Sequence, residues 1–127
     1  RNHMFKFLAY INERGGEAKI EAIPAPRDNP VSLETCIEDV WQHELENSKK
    51  IYALVDQAMA ERDWATFNFL QWFVKEQIEE EALINNLRDK FALASKDKAD
   101  NQNFYELDKD MASAPQEGDL PRETSLE

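Results

Sequence analysis

The sequence predicts an all-α fold, a bundle of long helices tied by one extended crossover. Three observations carry this. Two long segments show apolar seams whose steps alternate three and four, the repeat of helices packed nearly parallel. One seam runs Leu33, Ile37, Val40, Glu44, Asn47, Ile51, Leu54, Ala58, and the other Leu70, Phe73, Gln77, Glu80, Ile84, Leu87, Phe91. Between a short helical stretch at the start and the first long segment lies a proline-rich run with no helical period. Strand signals are absent apart from a weak run around Lys19 to Ile23.

The elements follow in order. His3, Phe7 and Tyr10 share one helix face, with Met4, Leu8 and Ile11 beside it. This helix starts with no cap before it, which reads as an element continued from upstream. It should end near Arg14, where Gly15-Gly16 supplies a left-handed residue. Residues 17–31, with Pro24, Pro26 and Pro30, can stretch to roughly 50 Å. That is the height of a helix of about 29 residues, so the crossover should leave the helices on its two sides pointing the same way. Ser32 is the N-cap of the second helix, which runs to about Glu61. Arg62-Asp63 permits only a hairpin between antiparallel helices. Asp63 caps the third helix, which runs to about Ala94. A short fourth helix spans about Asn103 to Ala112, with Phe104, Leu107 and Met111 on one face. The predicted organisation is a helical domain over residues 1–112 and a disordered acidic tail over 113–127.

Composition narrows the function. There are 26 acidic against 15 basic side chains, a formal net charge of -11. With no basic stripe to displace counterions, nucleic acid is not an expected partner; an acidic surface draws in cations or is simply solvated. Cys36 is the one cysteine, which excludes a disulfide within the chain and argues for a small buried filler rather than a nucleophile. No stretch approaches the roughly 20 apolar residues of a membrane span and no signal peptide is visible. A cytoplasmic setting is expected, with no membrane partner.

Glu44, Gln77 and Glu80 occupy seam positions where leucine or isoleucine belongs. A carboxylate there must leave water on folding, at a cost of several kcal/mol unless compensated. Pairing the helices about the Arg62-Asp63 turn sets residue i opposite roughly 125 minus i, so Glu44 faces position 81, one step from Glu80. Two carboxylates at one level suggest a bound metal; a buried polar network that fixes helix register is the other reading. His3, alone on an apolar face, is either a hydrogen-bonded core residue or a third kind of ligand, and imidazole with carboxylate and amide oxygen suits iron, manganese or zinc. Glu76 and Glu79, with Glu80 and Glu81, form a dense acidic patch that is a solvated face or a looser cation site.

At these residues a resemblance enters. The run Asn68-Phe-Leu-Gln-Trp-Phe-Val-Lys-Glu-Gln-Ile-Glu-Glu-Glu81 resembles the fourth bundle helix of bacterial non-haem ferritins. Tyr10-Ile-Asn-Glu-Arg-Gly-Gly16 resembles the end of the family's second helix, and Asn2-His3-Met4 the tail of its Glu-x-x-His motif. The similarity extends from Arg1 to about Met111. It implies a ferritin-like four-helix bundle, present here without the first helix and most of the second. It implies that His3 binds one iron of a diiron ferroxidase centre and Glu44 the other. Glu80 would lie near both with Gln77 beside it, Glu76, Glu79 and Glu80 would form a third iron site, and Trp72 would stand near the centre. Gln77-x-x-Glu80 stands where haem-containing bacterioferritins and rubrerythrins carry a second Glu-x-x-His, so no haem is implied.

The function implied is iron storage: Fe(II) is oxidised by dioxygen or hydrogen peroxide and Fe(III) is kept in a cage of twenty-four identical subunits. Because the resemblance leaves out roughly half the carboxylates that touch the metals, the chain by itself is not expected to oxidise iron at a family-like rate. Two other readings stay open: a non-enzymatic helical cage or scaffold subunit, and a ferritin-like diiron oxidoreductase or peroxidase.

Overall fold

In the computed structural model, which describes residues 2–25, 31–96 and 101–113, four helices follow in chain order. They are α1 (Asn2–Glu13), α2 (Leu33–Glu61), α3 (Trp64–Lys96) and α4 (Asn101–Ser113). No strand occurs among the described residues; the weak run at 19–23 has no regular structure, because a lone strand with no neighbour leaves its backbone groups to water. The second half of the crossover and the tail beyond residue 113 lie outside the described residues.

The helix ends explain the chain path. Gly15 takes φ 75°. Its N–H donates to the Asn12 carbonyl and that of Gly16 to the Ile11 carbonyl, a Schellman stop to α1. A Cβ at position 16 would sit 3.0 Å from the Ile11 side chain and 3.2 Å from its carbonyl oxygen, a tight contact that Ile11 would have to relieve. Ser32 accepts from the Thr35 N–H and caps α2. Arg62 closes α2 with φ 58°, the same stop built on a residue that does not favour that region. Asp63 then caps α3: Oδ1 accepts from the Thr66 N–H at 3.1 Å and Oδ2 from the Thr66 hydroxyl at 2.6 Å. These hydrogen bonds, the hydroxyl's foremost, hold the Asp63 carboxyl below its ordinary value of 3.8. Two residues at the turn leave α2 and α3 antiparallel.

The core lies along that pair, with Ile51, Ala58, Leu70 and Phe73 buried together. α1 lies against α3 through aromatic rings. Phe7 stacks on Phe73 at 4.3 Å and Tyr10 on Phe69 at 3.9 Å, while His3 meets Trp72 and Phe73 edge-on. Residue numbers rise along α1 as they fall along α3, so α1 is antiparallel to α3 and parallel to α2, as the crossover requires. The Thr66 hydroxyl gives its proton to Asp63, so it accepts from the Tyr10 hydroxyl at 2.9 Å. With Arg14 4.0 Å from Asp63, this fixes the end of α1 to the α2–α3 turn.

α4 begins two residues earlier and ends one later than its period predicts, and it docks on α3 through buried Leu107 and a Lys90–Asp110 ion pair at 2.6 Å. The seam of α2 is narrower than its sequence. Ile37, Ser48, Ile51 and Ala58 are buried, whereas Leu33 (44%), Val40 (39%) and Leu54 (42%) are exposed. A helix facing one neighbour buries one stripe, and these three lie on the flank that no described helix covers.

Candidate metal site

The site is built on the middle of α2 and α3, with α1 approaching from one side. Gln77 is its hub. It is fully buried at 0% exposure and lies in the seam of α3, as its spacing predicts. A buried amide must find partners for its oxygen and for both N–H groups. The Gln77 Oε1 accepts from Asn47 Nδ2 at 3.0 Å. Its Nε2 donates to Ser48 Oγ at 3.0 Å and to Glu44 Oε2 at 3.2 Å, with a weaker approach to the Glu44 carbonyl oxygen at 3.4 Å. Ser48 Oγ donates in turn to Glu81 Oε1. No buried side-chain nitrogen or oxygen among the described residues lacks a partner.

The register derived from the turn therefore holds to within a helical turn: Glu44 and Ser48 of α2 lie level with Gln77 and Glu81 of α3. Glu44 is half-buried in contact with Gln77, and Glu80 is half-buried one turn beyond Glu76. Glu79 is exposed.

On the α1 side, His3 Nε2 lies 3.9 Å from Glu76 Oε2, both groups partly buried. Metal bonds to imidazole nitrogen and carboxylate oxygen are about 2.0–2.2 Å, so one cation can touch both atoms. Trp72 packs against the His3 ring at 5.3 Å between centroids, and Lys6 Nζ sits 3.6 Å above the Trp72 ring. The structure thus brings together His3 with Glu76, and Glu44 with Gln77. Among the described residues no group of three or more His, Cys, Asp or Glu side chains is gathered tightly enough to hold a metal ion.

Asn47, Ser48 and Lys6 were not singled out from the sequence as members of the site, whereas Glu81 was named in the acidic patch. The signal for two of them was present. Asn47 and Ser48 follow Glu44 by three and four residues, the spacing that puts side chains on one face of a helix. Glu81 is the position the register places opposite Glu44. Lys6 carries no such signal, because its contact depends on how α1 lies across α3.

A model of the ferritin-like domain matches residues 1–94. A probable bacterial non-heme ferritin-like protein of Haemophilus influenzae is 40% identical over 111 residues, covering 87% of this chain and 66% of its own. A bacterial non-heme ferritin of Escherichia coli O6:H1 is 34% identical over the same length and shares. The chain thus spans just under two thirds of the length of these relatives. Among solved structures, an open-pore ferritin from Archaeoglobus fulgidus superposes with a TM-score of 0.81 at 38% identity, covering 90% of this chain and 68% of the other.

Proposed function

The chain belongs to the ferritin family, and from that premise we propose that the protein oxidises Fe(II) at a paired site and stores the Fe(III) in an oligomeric cage. The helices have the ferritin bundle arrangement. The observation that carries the reading is the direct contact of Glu44 with buried Gln77 across α2 and α3, with His3 and Glu76 on the adjoining α1–α3 face. Imidazole and carboxylate oxygens on three helices form a donor set that suits iron.

In this reading Fe(II) is the substrate. His3 holds one ion and Glu44 the other, Glu80 lies near both, and Gln77 stands beside the pair. Glu76, Glu79 and Glu80 form a further cation site on the acidic face of α3. Two Fe(II) ions lose one electron each to dioxygen, giving hydrogen peroxide, or to hydrogen peroxide, giving two waters, with two protons taken up in either case. Hard carboxylate ligands favour the Fe(III) product because a trivalent ion gains more from anionic oxygen than a divalent one. Trp72, Phe73 and Phe69 line the α1 side with rings. The cage, a cytoplasmic location and the absence of haem complete the proposal. For the last, Gln77-x-x-Glu80 offers no second Glu-x-x-His.

One observation favours the non-enzymatic alternative: the network around Gln77 is complete without a metal, as a register lock would be. Titration with Fe(II) in air, on a chain that spans the whole length of the relatives, separates the two. A site that binds and oxidises iron gives a transient coloured species saturating near two Fe(II) per subunit, and Glu80→Ala abolishes fast oxidation while leaving the assembly intact. Unchanged oxidation in that variant removes Glu80 from the site, and no oxidation in the unmodified protein leaves the scaffold reading.

A further inference from the structure

The hydrogen bonds around Gln77 have a direction, and that direction is set by charge. Glu81 is a carboxylate and can only accept, so the Ser48 hydroxyl proton points to Glu81 Oε1. Ser48 Oγ must then accept from Gln77, which requires the amide's NH2 and not its oxygen to face Ser48. The second proton of that NH2 goes to Glu44, another acceptor-only group. The amide oxygen is left facing Asn47, whose NH2 donates to it. Glu44 holds this orientation from one end and Glu81 from the other, through Ser48.

The two ends are not equivalent in use. In the proposed function Glu44 carries a cation, and a carboxylate bound to a metal is a weaker acceptor for Gln77. The Glu44 end of the chain then loosens, whereas the Glu81 end is untouched. We propose that Ser48 and Glu81 are positioning residues that keep the Gln77 amide turned with its NH2 toward Glu44, so that Gln77 acts as a donor that orients Glu44 and not as a metal ligand through its oxygen. Without the hydroxyl of Ser48 the remaining hold is Asn47, whose own amide can turn to donate or accept, so the Gln77 amide can rotate and offer its oxygen to the cation. Ser48 is buried at 2% exposure, so no water takes its place cheaply. This inference rests on the proposed iron site, and its test is built to fail separately from that site.

The experiment has two readouts on the protein. The first uses the metal-free form: the side-chain NH2 of Gln77, observed by nuclear magnetic resonance, should exchange slowly with water and show proximity to Ser48. Ser48→Ala should speed that exchange, Glu81→Met should do the same, and Ser48→Thr, which keeps the hydroxyl, should not. The second uses Co(II) as a probe, followed by its visible absorption. Removing a partner that orients a ligand costs about tenfold or more in metal affinity, so Ser48→Ala should weaken Co(II) by that factor and Ser48→Thr by less than about threefold. In a Gln77→Leu background Ser48→Ala should change nothing further, because its effect passes through the amide. An equal loss in both backgrounds, or unaltered NH2 exchange in Ser48→Ala, overturns the proposal. If the unmodified protein binds no Co(II) while the exchange pattern is as stated, the amide lock stands and the iron site falls. Should Ser48→Ala not fold, Glu81→Met and Ser48→Thr decide the same question.

Discussion

Replacing Gln77 by glutamate changes two atoms' chemistry and almost no volume, which makes it a sharp probe of the buried network. The amide donates through Nε2 at 3.0 Å to Ser48 Oγ and at 3.2 Å to Glu44 Oε2. Glutamate puts an oxygen there, so a donor facing two acceptors becomes an acceptor facing them. The lost hydrogen bond to charged Glu44 costs about 1.5–3 kcal/mol. Repulsion between carboxylates about 4 Å apart adds up to about 4 kcal/mol at an effective dielectric near 20. Protonation limits the total: holding a carboxyl with an ordinary pKa of about 4.3 protonated at pH 7 costs about 3.7 kcal/mol, at roughly 1.4 per unit, and restores a donor. The variant should therefore lose about 2–4 kcal/mol at pH 7, measured by urea unfolding of the metal-free protein against the parent. At pH 5 the same limit falls to about 1 kcal/mol, so the difference between variant and parent should shrink to near that figure. A loss below about 0.5 kcal/mol that does not vary with pH would mean that Gln77 is not locked between acceptors.

The other perturbations test the frame that holds the site. Phe73 is 1% exposed and stacks on Phe7, so Phe73→Ala should destabilise by about 3–5 kcal/mol in urea unfolding and raise amide exchange along α1. Arg62 occupies φ 58°, so Arg62→Gly should raise stability by roughly 0.5–1 kcal/mol; a fall would mean that the side chain has a role the turn does not show. Hydrogen bonds from Thr66 lower the Asp63 carboxyl from 3.8. A lowered folded pKa gives stability that is present above the ordinary value and is lost as pH falls through the lowered one. Acid unfolding curves of the parent and Asp63→Asn should therefore differ at neutral pH and converge as pH falls below the lowered value.

Much of the frame was legible in the sequence because local rules govern it. Ser32, Gly15 and Asp63 are cap residues at the ends where helices stop or start, and a two-residue turn leaves only an antiparallel pair. Counting back from that turn placed Glu44 opposite position 81, and its contact with Gln77 lies one helical turn from that register. What the sequence did not convey depends on how helices lie across one another. Whether Val40 and Leu54 are buried depends on what covers their flank, which the period of α2 does not state. The partners of Gln77 escaped for a related reason. A seam gives the direction of one side chain, whereas a network depends on which of several polar neighbours on the facing helix has the donor that completes it. Ser48 lies one residue off the stripe and is buried because Glu81 and Gln77 reach toward it.

The central claim is that iron occupies the interface where α1, α2 and α3 meet. Anomalous diffraction at the iron edge, on crystals loaded with Fe(II) under nitrogen, tests this most directly. The account places iron peaks within bonding distance of His3 and Glu44, with Glu80 close to both and the Gln77 oxygen still turned to Asn47. Iron found only on exposed carboxylates such as Glu79, with Glu44 still hydrogen-bonded to Gln77 and no peak beside it, would contradict the account.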